Sequence, residues 1–336
     1  MVLNIGLTYN LAREVPKGSP KDLYAEFDSD STVQAIRKSL ESGGHKVTLI
    51  EANEDAYGKL KSLRPDMVFN IAEGLRGESR ESHIPAMLEM LGIPYTASGP
   101  LTLAITLDKA RTKEILIAHK IPTPMFAVYT EPPKKDDKFD LPAIVKPISE
   151  GSSKGIREDS VVETQEQFRR VVASRIKEYK QPVLVEKFVG GREFTVAIMG
   201  NKQLNILPLI EINFEDLPKE SKRIDSYEAK WIWDDPSNPL DCIICPAKID
   251  KKQEAVITKV AVDTYDALGC RDWTRIDIRL DEMGVPNVLD VNALPGMIHD
   301  PKANSRFPAA ARAAGMKYEE VILTVLGHAL ERCGMK

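Results

Sequence analysis

The sequence predicts a chain of two structural classes in series, an open parallel α/β domain followed by α+β regions with antiparallel sheets. In the first hundred residues, short apolar strands alternate with helices, and such strands are typical of a parallel sheet covered on both faces. Later strands follow one another at hairpin spacing, and the run D-E-M-G at 281–284 predicts a hairpin turn. The 336 residues are enough for the three domains that we place at 1–100, 101–181 and 182–336.

The first domain is predicted to contain three strands and three helices. The strands are expected at 2–9, 46–50 and 67–71, and the helices at 31–41, 55–63 and 81–91. Ser31 is the expected N-cap of the first helix, and the glycine pair that follows the helix ends it. Because open α/β sheets bind ligands at the carboxyl ends of their strands, we expect a substrate site there.

The rest of the chain is predicted to mix helices with antiparallel strands. One helical stretch at 101–119 links the first domain to the second, and residues 131–138 form a solvated loop. Further helices are expected at 165–179, 250–268 and 318–333, and strands at 143–147, 183–188, 193–199, 204–212, 274–280 and 287–291.

The composition indicates an ordinary globular protein. The chain is 43% hydrophobic and 29% charged, with a net charge of −4, so collagen, coiled coil and low-complexity disorder are excluded, and nucleic acid or anionic membrane is not an expected partner. No apolar run is long enough to span a membrane, and no basic leader precedes the first strand, so we expect no signal peptide and a cytoplasmic location. Cys242 and Cys245 form a lone C-x-x-C, for which two buried strand thiols are a simpler interpretation than a metal or redox site.

A glycine- and serine-rich loop follows the predicted strand at 143–147. Its sequence, K-P-I-S-E-G-S-S-K-G, exposes backbone N–H groups that can bind a phosphate, and Lys146 adds a positive charge. A flexible hairpin tip is the alternative. The loop also contains G-x-S-x-G around Ser153, the pattern of a hydrolase nucleophile, which requires a helix directly after the serine. Residues 157–161 are predicted to return as a strand, so the hydrolase interpretation is disfavoured.

The hairpin near the end of the chain carries a candidate metal site. Arg275, Asp277 and Arg279 lie on one face of their strand by the period of two, and Asp290 and Asn292 share a face of the partner strand. Two carboxylates facing each other would repel, so a cation between them is a better explanation than an exposed polar face. Carboxylate and amide oxygens suit Mg²⁺ held together with phosphates.

Together these features resemble the ATP-grasp enzymes, and most of all the D-alanine–D-alanine ligases. The resemblance covers most of the chain and implies an ATP-grasp fold, with an N-terminal open parallel α/β domain and two antiparallel-sheet subdomains that enclose ATP. The matching stretches occur in the family's order: L-G-I-P-Y-T-A-S-G at 91–99, L-D-K at 107–109 with T-K at 112–113, V-K-P at 145–147 through G at 155, V-L-V-E-K-F-V at 183–189 with G-R-E at 191–193, Y-E-A-K at 227–230, A-L-G-C at 267–270, and D-V-N-A-L-P-G at 290–296.

The resemblance also implies roles for individual residues. The implied nucleotide-binding residues are Lys109, Lys146, Ser152, Ser153, Glu186, Lys187, Val189, Glu193 and Lys230, where Ser152 and Ser153 lie on a loop that closes over the phosphates and Glu193 binds the ribose. The implied metal ligands are Asp277, Asp290 and Asn292, and the implied catalytic residues are Arg275, Ser152 and Lys230. Arg275 and the backbone N–H of Gly296 are further implied to bind the substrate carboxylate and the developing oxyanion.

The activity implied by the resemblance is an ATP- and Mg²⁺ (or Mn²⁺)-dependent carboxylate–amine ligase. Such an enzyme transfers the γ-phosphoryl group to a carboxylate, and an amine then attacks the acyl phosphate to form a dipeptide-type amide bond. The implied partners are small amino-acid-like molecules and a second copy of the chain in a homodimer, and the implied pathway is peptidoglycan synthesis.

The amino-acid site departs from the family pattern. Ala12 stands where the family has the glutamate that binds the substrate ammonium, which leaves Glu26 as the first candidate and Glu14 as the second. Glu73 replaces a usual histidine, and Trp231 replaces a usual tyrosine. A polar site that changes in this way can switch specificity. An amino-acid ligase of different specificity, or a non-catalytic nucleotide-binding relative, therefore remains open beside D-alanyl-D-alanine synthesis.

Overall fold

The structure, a computed structural model, describes residues 1–218, 221–233 and 242–335. Its N-terminal part is a three-stranded parallel sheet in the order β2-β1-β3, covered by helices. The elements are β1 Asn4–Tyr9, α1 Asp30–Ser42, β2 Lys46–Glu51, α2 Ala56–Leu63, β3 Met67–Asn70 and α3 His83–Leu91. The predicted strands and helices of this region are thus confirmed. The N-cap prediction is wrong, because Ser29, and not Ser31, accepts the hydrogen bond from the backbone N–H of Thr32.

The helical link that the sequence predicts as one stretch is two helices, α4 Pro100–Leu107 and α5 Lys109–Ala118. Asp108 breaks the stretch, since its backbone is extended and its carboxylate caps α5 by accepting hydrogen bonds from the N–H groups of Ala110 and Arg111 at 2.9 and 3.0 Å. This break places Lys109 at the first position of α5.

The central part is a four-stranded antiparallel sheet in the order β4-β7-β5-β6. Its elements are β4 Phe126–Tyr129, β5 Ala143–Pro147, β6 Val161–Val162, α6 Gln165–Tyr179 and β7 Val183–Lys187. The edge strand β4 is not predicted from the sequence, because it is short and only half-buried. Helix α6 packs on the sheet through Phe168, Val171 and Val172, which form a separate apolar core with the strands.

The C-terminal part is a six-stranded sheet in the order β11-β10-β8-β12-β13, with β9 paired to β8. Its elements are β8 Glu193–Gly200, β9 Leu204–Ile206, β10 Ile210–Ile212, β11 Ile243–Ile244, α7 Lys251–Ala267, β12 Trp273–Leu280, β13 Pro286–Asn292, α8 Arg306–Ala313 and α9 Tyr318–Arg332. The strand predicted at 204–212 is two strands that are separated near Pro208, which lacks a backbone N–H for pairing. Helix α8 is not predicted from the sequence.

The first and last helices of the chain meet. Helix α1 packs against α9, and Ile36 of α1 and Val325 of α9 belong to one apolar core that also includes residues of the β8–β12 pair. The N-terminal sheet and the C-terminal sheet therefore share their interior, whereas the central sheet has its own. Within the described residues, no helix is long and apolar enough to cross a membrane. Cys242 and Cys245 flank β11 and are half-buried.

Candidate active site

Two adjoining cavities are lined by residues from all three parts of the fold. The larger has a volume of about 530 Å³ and the smaller about 90 Å³. Lys109, Lys230, Arg275 and Asp290 line both of them, so the two cavities are neighbours. The nucleotide-binding residues that the family resemblance implies all line the smaller cavity. They are Lys109, Lys146, Ser152, Ser153, Glu186, Lys187, Val189, Glu193 and Lys230.

A buried cluster of three charged residues lies beside the smaller cavity. The carboxylate of Glu186 on β7 lies 2.5 Å from the ammonium of Lys146 on β5 and 2.8 Å from that of Lys113 on α5, and all three side chains are nearly fully buried. Burial alone would raise the pKa of Glu186, but the two ammonium groups outweigh it and lower that pKa. The cluster keeps one net positive charge, which suits the binding of an anion such as a phosphate.

Lys109 extends from the start of α5 toward the loop at 146–155. Its ammonium donates a hydrogen bond to the carbonyl oxygen of Glu150 at 2.6 Å and lies 3.4 Å from the carboxylate of Asp290. Asp108 caps α5 and so fixes the residue at which this helix begins. Because Lys109 is the first residue of α5, the cap also fixes the position of Lys109. Lys109 therefore joins the glycine-serine loop to the carboxylates of the β12–β13 hairpin.

Glu193 forms a buried ion pair with Arg279, with 3.3 Å between the charged groups. The guanidinium of Arg279 also lies over the rings of Phe188 and Phe214, at 5.0 and 5.2 Å from their centroids. Burial raises the pKa of Glu193 to about 7 even though Arg279 opposes the shift. A second partner that donates hydrogen bonds, such as a hydroxyl group, would favour the ionised carboxylate.

The three candidate metal ligands are adjacent in space. Asp277 and Asp290 are direct cross-strand partners on β12 and β13, and Asn292 donates a hydrogen bond to Asp277 at 3.1 Å. A bulge follows Asp277, so that Ile278 pairs with Val288 and the strand register shifts. Two facing carboxylates and one amide oxygen are a donor set that fits a hard divalent cation.

Arg275 and Lys230 lie where the two cavities join. The Nη2 of Arg275 donates to Asp277 at 3.0 Å, while its Nε is buried without a hydrogen-bond partner in the described part of the chain. Lys230 lies on a single π-helical turn, Ala229–Trp233. Burial and the nearby Arg306 lower its pKa to about 7. The side chain of Trp231, a position singled out in the sequence, lies outside the described residues.

The glycine-serine loop has an unusual backbone. Ser152 and Ser153 adopt positive φ values of 48° and 60°, and Gly155 has φ of +73°. A Cβ atom on Gly155 would overlap the ring of Pro147, so this position requires glycine. The loop continues into a short 3-10 turn, Glu158–Ser160, and then β6, so the helix that a hydrolase nucleophile requires after Ser153 is missing. The hydroxyl of Ser153 donates to the carbonyl oxygen of Asp225 at 2.8 Å.

Glu26, the first candidate for binding a substrate ammonium, already has cationic partners. Its carboxylate accepts hydrogen bonds from Arg80 at 2.8 and 2.9 Å and lies 3.2 Å from the ammonium of Lys154. Burial alone would raise the pKa of Glu26, but these cations lower it to about 2. Arg80 and Lys154 also pair with Glu150, so two cations and two carboxylates balance one another. The second candidate, Glu14, is exposed and lines neither cavity.

Three carboxylates that line the larger cavity, those of Asp28, Glu73 and Glu81, form no ion pair with a described residue. The carboxylate oxygens of these side chains also accept no hydrogen bond from the described part of the chain. Burial raises the pKa of Asp28 to about 7 and that of Glu81 to about 8, and burial together with Glu81 and Glu26 raises the pKa of Glu73. Gly296 lines the same cavity. The acidic wall of this cavity therefore consists of Asp28, Glu73 and Glu81 more than of Glu26.

Several residues of the site were not found by sequence reasoning. Lys113 and Lys154 lie inside segments that carry the family resemblance, and Arg80 lies outside them. In neither case does a lysine or arginine in the sequence signal its buried partner. Asp22 and Asp28 lie on the segment between β1 and α1, where the chain departs most from the family pattern. Their positions depend on a loop conformation that no periodic pattern encodes.

The comparisons with known proteins agree with this architecture. The family described as D-ala D-ala ligase C-terminus matches residues 123–327. The chain is 34% identical over 316 residues to a D-alanine–D-alanine ligase of Pelotomaculum thermopropionicum, covering 91% of this chain and 93% of that protein. It is also 34% identical over 312 residues to the uncharacterized protein y4sG of Sinorhizobium fredii, covering 90% and 88%.

Solved structures share the fold. The D-alanine–D-alanine ligase from Bacillus anthracis complexed with ATP superposes with a TM-score of 0.72 at 23% identity, covering 98% of each chain. The VanG D-Ala:D-Ser ligase from Enterococcus faecalis superposes with a TM-score of 0.71 at 18% identity, covering 98% of this chain and 100% of the other. The chain is thus an ATP-dependent, amide-bond-forming ligase with the ATP-grasp fold. It belongs to the D-alanine–D-alanine ligase family.

Proposed function

We propose that the chain joins the carboxyl group of one amino-acid-like substrate to the amino group of another, through an acyl phosphate made from ATP. The observation that carries this proposal is that the two cavities are neighbours and share four charged lining residues, Lys109, Lys230, Arg275 and Asp290. A γ-phosphoryl group at this junction can reach a carboxylate in the larger cavity. Because phosphoryl transfer depends mainly on positioning and on neutralisation of charge, the cationic side chains here are suited to the reaction.

In this proposal the cationic side chains have different roles, since the lysines of the smaller cavity bind the phosphates and Arg275 binds the substrate carboxylate. Lys109, Lys146 and Lys230, which all line the smaller cavity, bind the phosphates, while the buried Lys113 helps to neutralise Glu186 beside Lys146. Arg275 binds the substrate carboxylate and stabilises the oxyanion that develops when the amine attacks, together with the backbone N–H of Gly296. Ser152 and Ser153 belong to the loop that excludes water, which protects the acyl phosphate from hydrolysis.

Asp277, Asp290 and Asn292 would hold Mg²⁺ (or Mn²⁺). A bound divalent cation would supply charge neutralisation of the transferring phosphoryl group. The facing pair of carboxylates supports this assignment, because like charges opposite each other on neighbouring strands destabilise the sheet unless a cation lies between them.

For the substrate ammonium, Asp28 and Glu73 are better candidates than Glu26, because Glu26 is already neutralised by Arg80 and Lys154. The names of the relatives favour D-alanine for both substrates and a role in peptidoglycan synthesis. A ligase of different specificity is the second candidate, favoured by the unpaired carboxylates of Asp28, Glu73 and Glu81 in the larger cavity. We further propose a cytoplasmic location and a homodimer.

Phosphate release with Mg-ATP tests the proposal, measured with D- and L-amino acids singly and in pairs and followed by mass analysis of the product. D-alanine alone giving D-alanyl-D-alanine would support the first candidate, and stimulation by another pair would support the second. ATP binding without substrate-dependent hydrolysis across the panel would contradict ligase activity toward amino acids and favour a non-catalytic relative. Arg275→Ala is the matched variant, which should bind ATP and form no amide.

A further inference from the structure

One segment of the N-terminal part holds the glycine-serine loop at both ends. The backbone N–H of Gly151 donates to the Glu26 carboxylate at 2.5 Å, and the backbone N–H of Gly155 donates to the Asp22 carboxylate at 3.0 Å. These are the first and last backbone amides of the loop at 151–155, the loop that excludes water from the phosphates in the proposed function. The two carboxylates are four residues apart in a run of tight turns.

Glu26 approaches the loop closely. A Cβ atom on Gly151 would lie 2.8 Å from its Oε1, so any larger residue at this position would have to displace the carboxylate. Arg80 reinforces it by donating to the carbonyl oxygen of Ser149 at 2.8 Å as well as to Glu26. The side chains of Glu26 and Arg80 are only 3% and 8% exposed. The start of the loop is therefore held by a buried, charge-balanced contact.

Asp22 holds the other end in a different way. Its residue is 2% exposed, and its Oδ2 accepts hydrogen bonds from Gly155 and from the hydroxyl of Tyr179 at 2.5 Å. Its Oδ1 has no hydrogen-bond partner among the described residues. Arg157 donates to the same Tyr179 hydroxyl at 3.1 Å, so a guanidinium lies behind this contact and the Asp22 carboxylate is held against the loop by a buried hydrogen-bond network.

The same segment forms a wall of the amino-acid cavity. Tyr24, Phe27 and Asp28 line the larger cavity, which is the amino-acid cavity of the proposed function. Tyr24 lies between the two anchoring carboxylates in sequence, and Phe27 and Asp28 directly follow Glu26. A substrate that packs against this wall therefore contacts the segment that fixes the loop over the phosphates.

We propose that Asp22 and Glu26 are positioning residues that hold the loop at 151–155 closed, so that the loop is secured by the segment that lines the amino-acid cavity. This inference rests on the proposed function. With the anchors weakened, the loop opens during turnover and water reaches the acyl phosphate. The water oxygen then attacks the acyl carbon, the bond from that carbon to the phosphate oxygen breaks, and a free carboxylate and inorganic phosphate leave with no amide formed.

The test uses three near-isosteric variants of the full chain, Asp22→Asn, Glu26→Gln and Tyr179→Phe, with Glu14→Gln as the matched control. Glu14 is exposed and makes no contact with the loop. We expect the ratio of phosphate released to amide formed to rise roughly threefold or more in the three variants, and KM for ATP to rise roughly tenfold while KM for the amino acid changes little. The control should match the parent chain.

Hydrogen exchange of the Gly151 and Gly155 amides gives a readout that does not depend on activity. In the parent chain with Mg-ATP these amides should be protected, and the variants should lose that protection. Equal ratios and equal protection in variants and parent would overturn the proposal, even if the variants melt at lower temperature. If the parent makes no amide but the variants still lose protection, the proposed function fails and the positioning role stands.

Discussion

Asp277 and Asp290 lie directly opposite each other across β12 and β13, at the point where the strand register shifts. Arg275 and Lys109 each contact one of the two carboxylates, at 3.0 and 3.4 Å. The assignment of this pair as metal ligands can be tested by titration with metal.

Replacing Asp290 by Asn should weaken the binding of Mg²⁺. We expect the Mg²⁺ concentration for half-maximal phosphate release to rise by about tenfold or more, because one carboxylate ligand is lost. An unchanged Mg²⁺ requirement would count against the assignment of this pair as metal ligands.

Arg275→Lys should lower kcat by about 10²-fold with a smaller effect on KM for ATP. The planar guanidinium can donate several hydrogen bonds to a carboxylate and to a developing oxyanion, and an ammonium cannot reproduce that geometry. Steady-state kinetics with both substrates near saturation check this expectation. A variant that retains the parent kcat would exclude Arg275 from the role of oxyanion donor.

Lys113→Met should destabilise the fold more than a surface change on the same helix. The substitution leaves the buried Glu186 with one cationic partner, and breaking a buried ion pair costs about 3 kcal/mol of unfolding free energy. Arg111→Ala, which removes an exposed ion pair with Glu114, should change the free energy of unfolding by less than about 0.5 kcal/mol. Urea unfolding of the two variants makes the comparison. Equal losses would mean that Lys146 alone neutralises Glu186.

Asp28 should make the free energy of unfolding fall as the pH rises. Burial raises the pKa of its carboxyl to about 7 in the folded chain from the ordinary value of 3.8, so between these values the folded state binds more protons than the unfolded state. Stability from this group is therefore largest below about pH 4 and is lost as the pH rises through about 7. Asp28→Asn should remove the slope and stabilise the chain at pH 8 by about 2 kcal/mol. Denaturant curves at pH 5 and pH 8 measure the difference, and parallel behaviour of parent and variant would contradict it.

The elements with strong patterns were predictable from the sequence. Helix α6 was predicted with the observed ends, because its capping residue and its apolar period agree. The break at Asp108 was missed, since an apolar pattern that continues across a capping residue resembles one helix. Lys146 and Asp277 lie on the strands where the sequence placed them. The ion pairs of Glu26 could not be predicted, because its partners Arg80 and Lys154 come from distant segments and only the folded chain brings them together.

The packing of α1 against α9 has a consequence for synthesis of the chain. Helix α1 leaves the ribosome early. The side chain of Ile36 can complete its apolar contacts only after α9, which carries Val325, has been synthesised. The central sheet, whose core lies entirely within residues 129–185, can be complete before then. We therefore expect nascent chains stalled before α9 to carry a protease-resistant middle and a protease-sensitive beginning, which is the reverse of the usual order from the N-terminus.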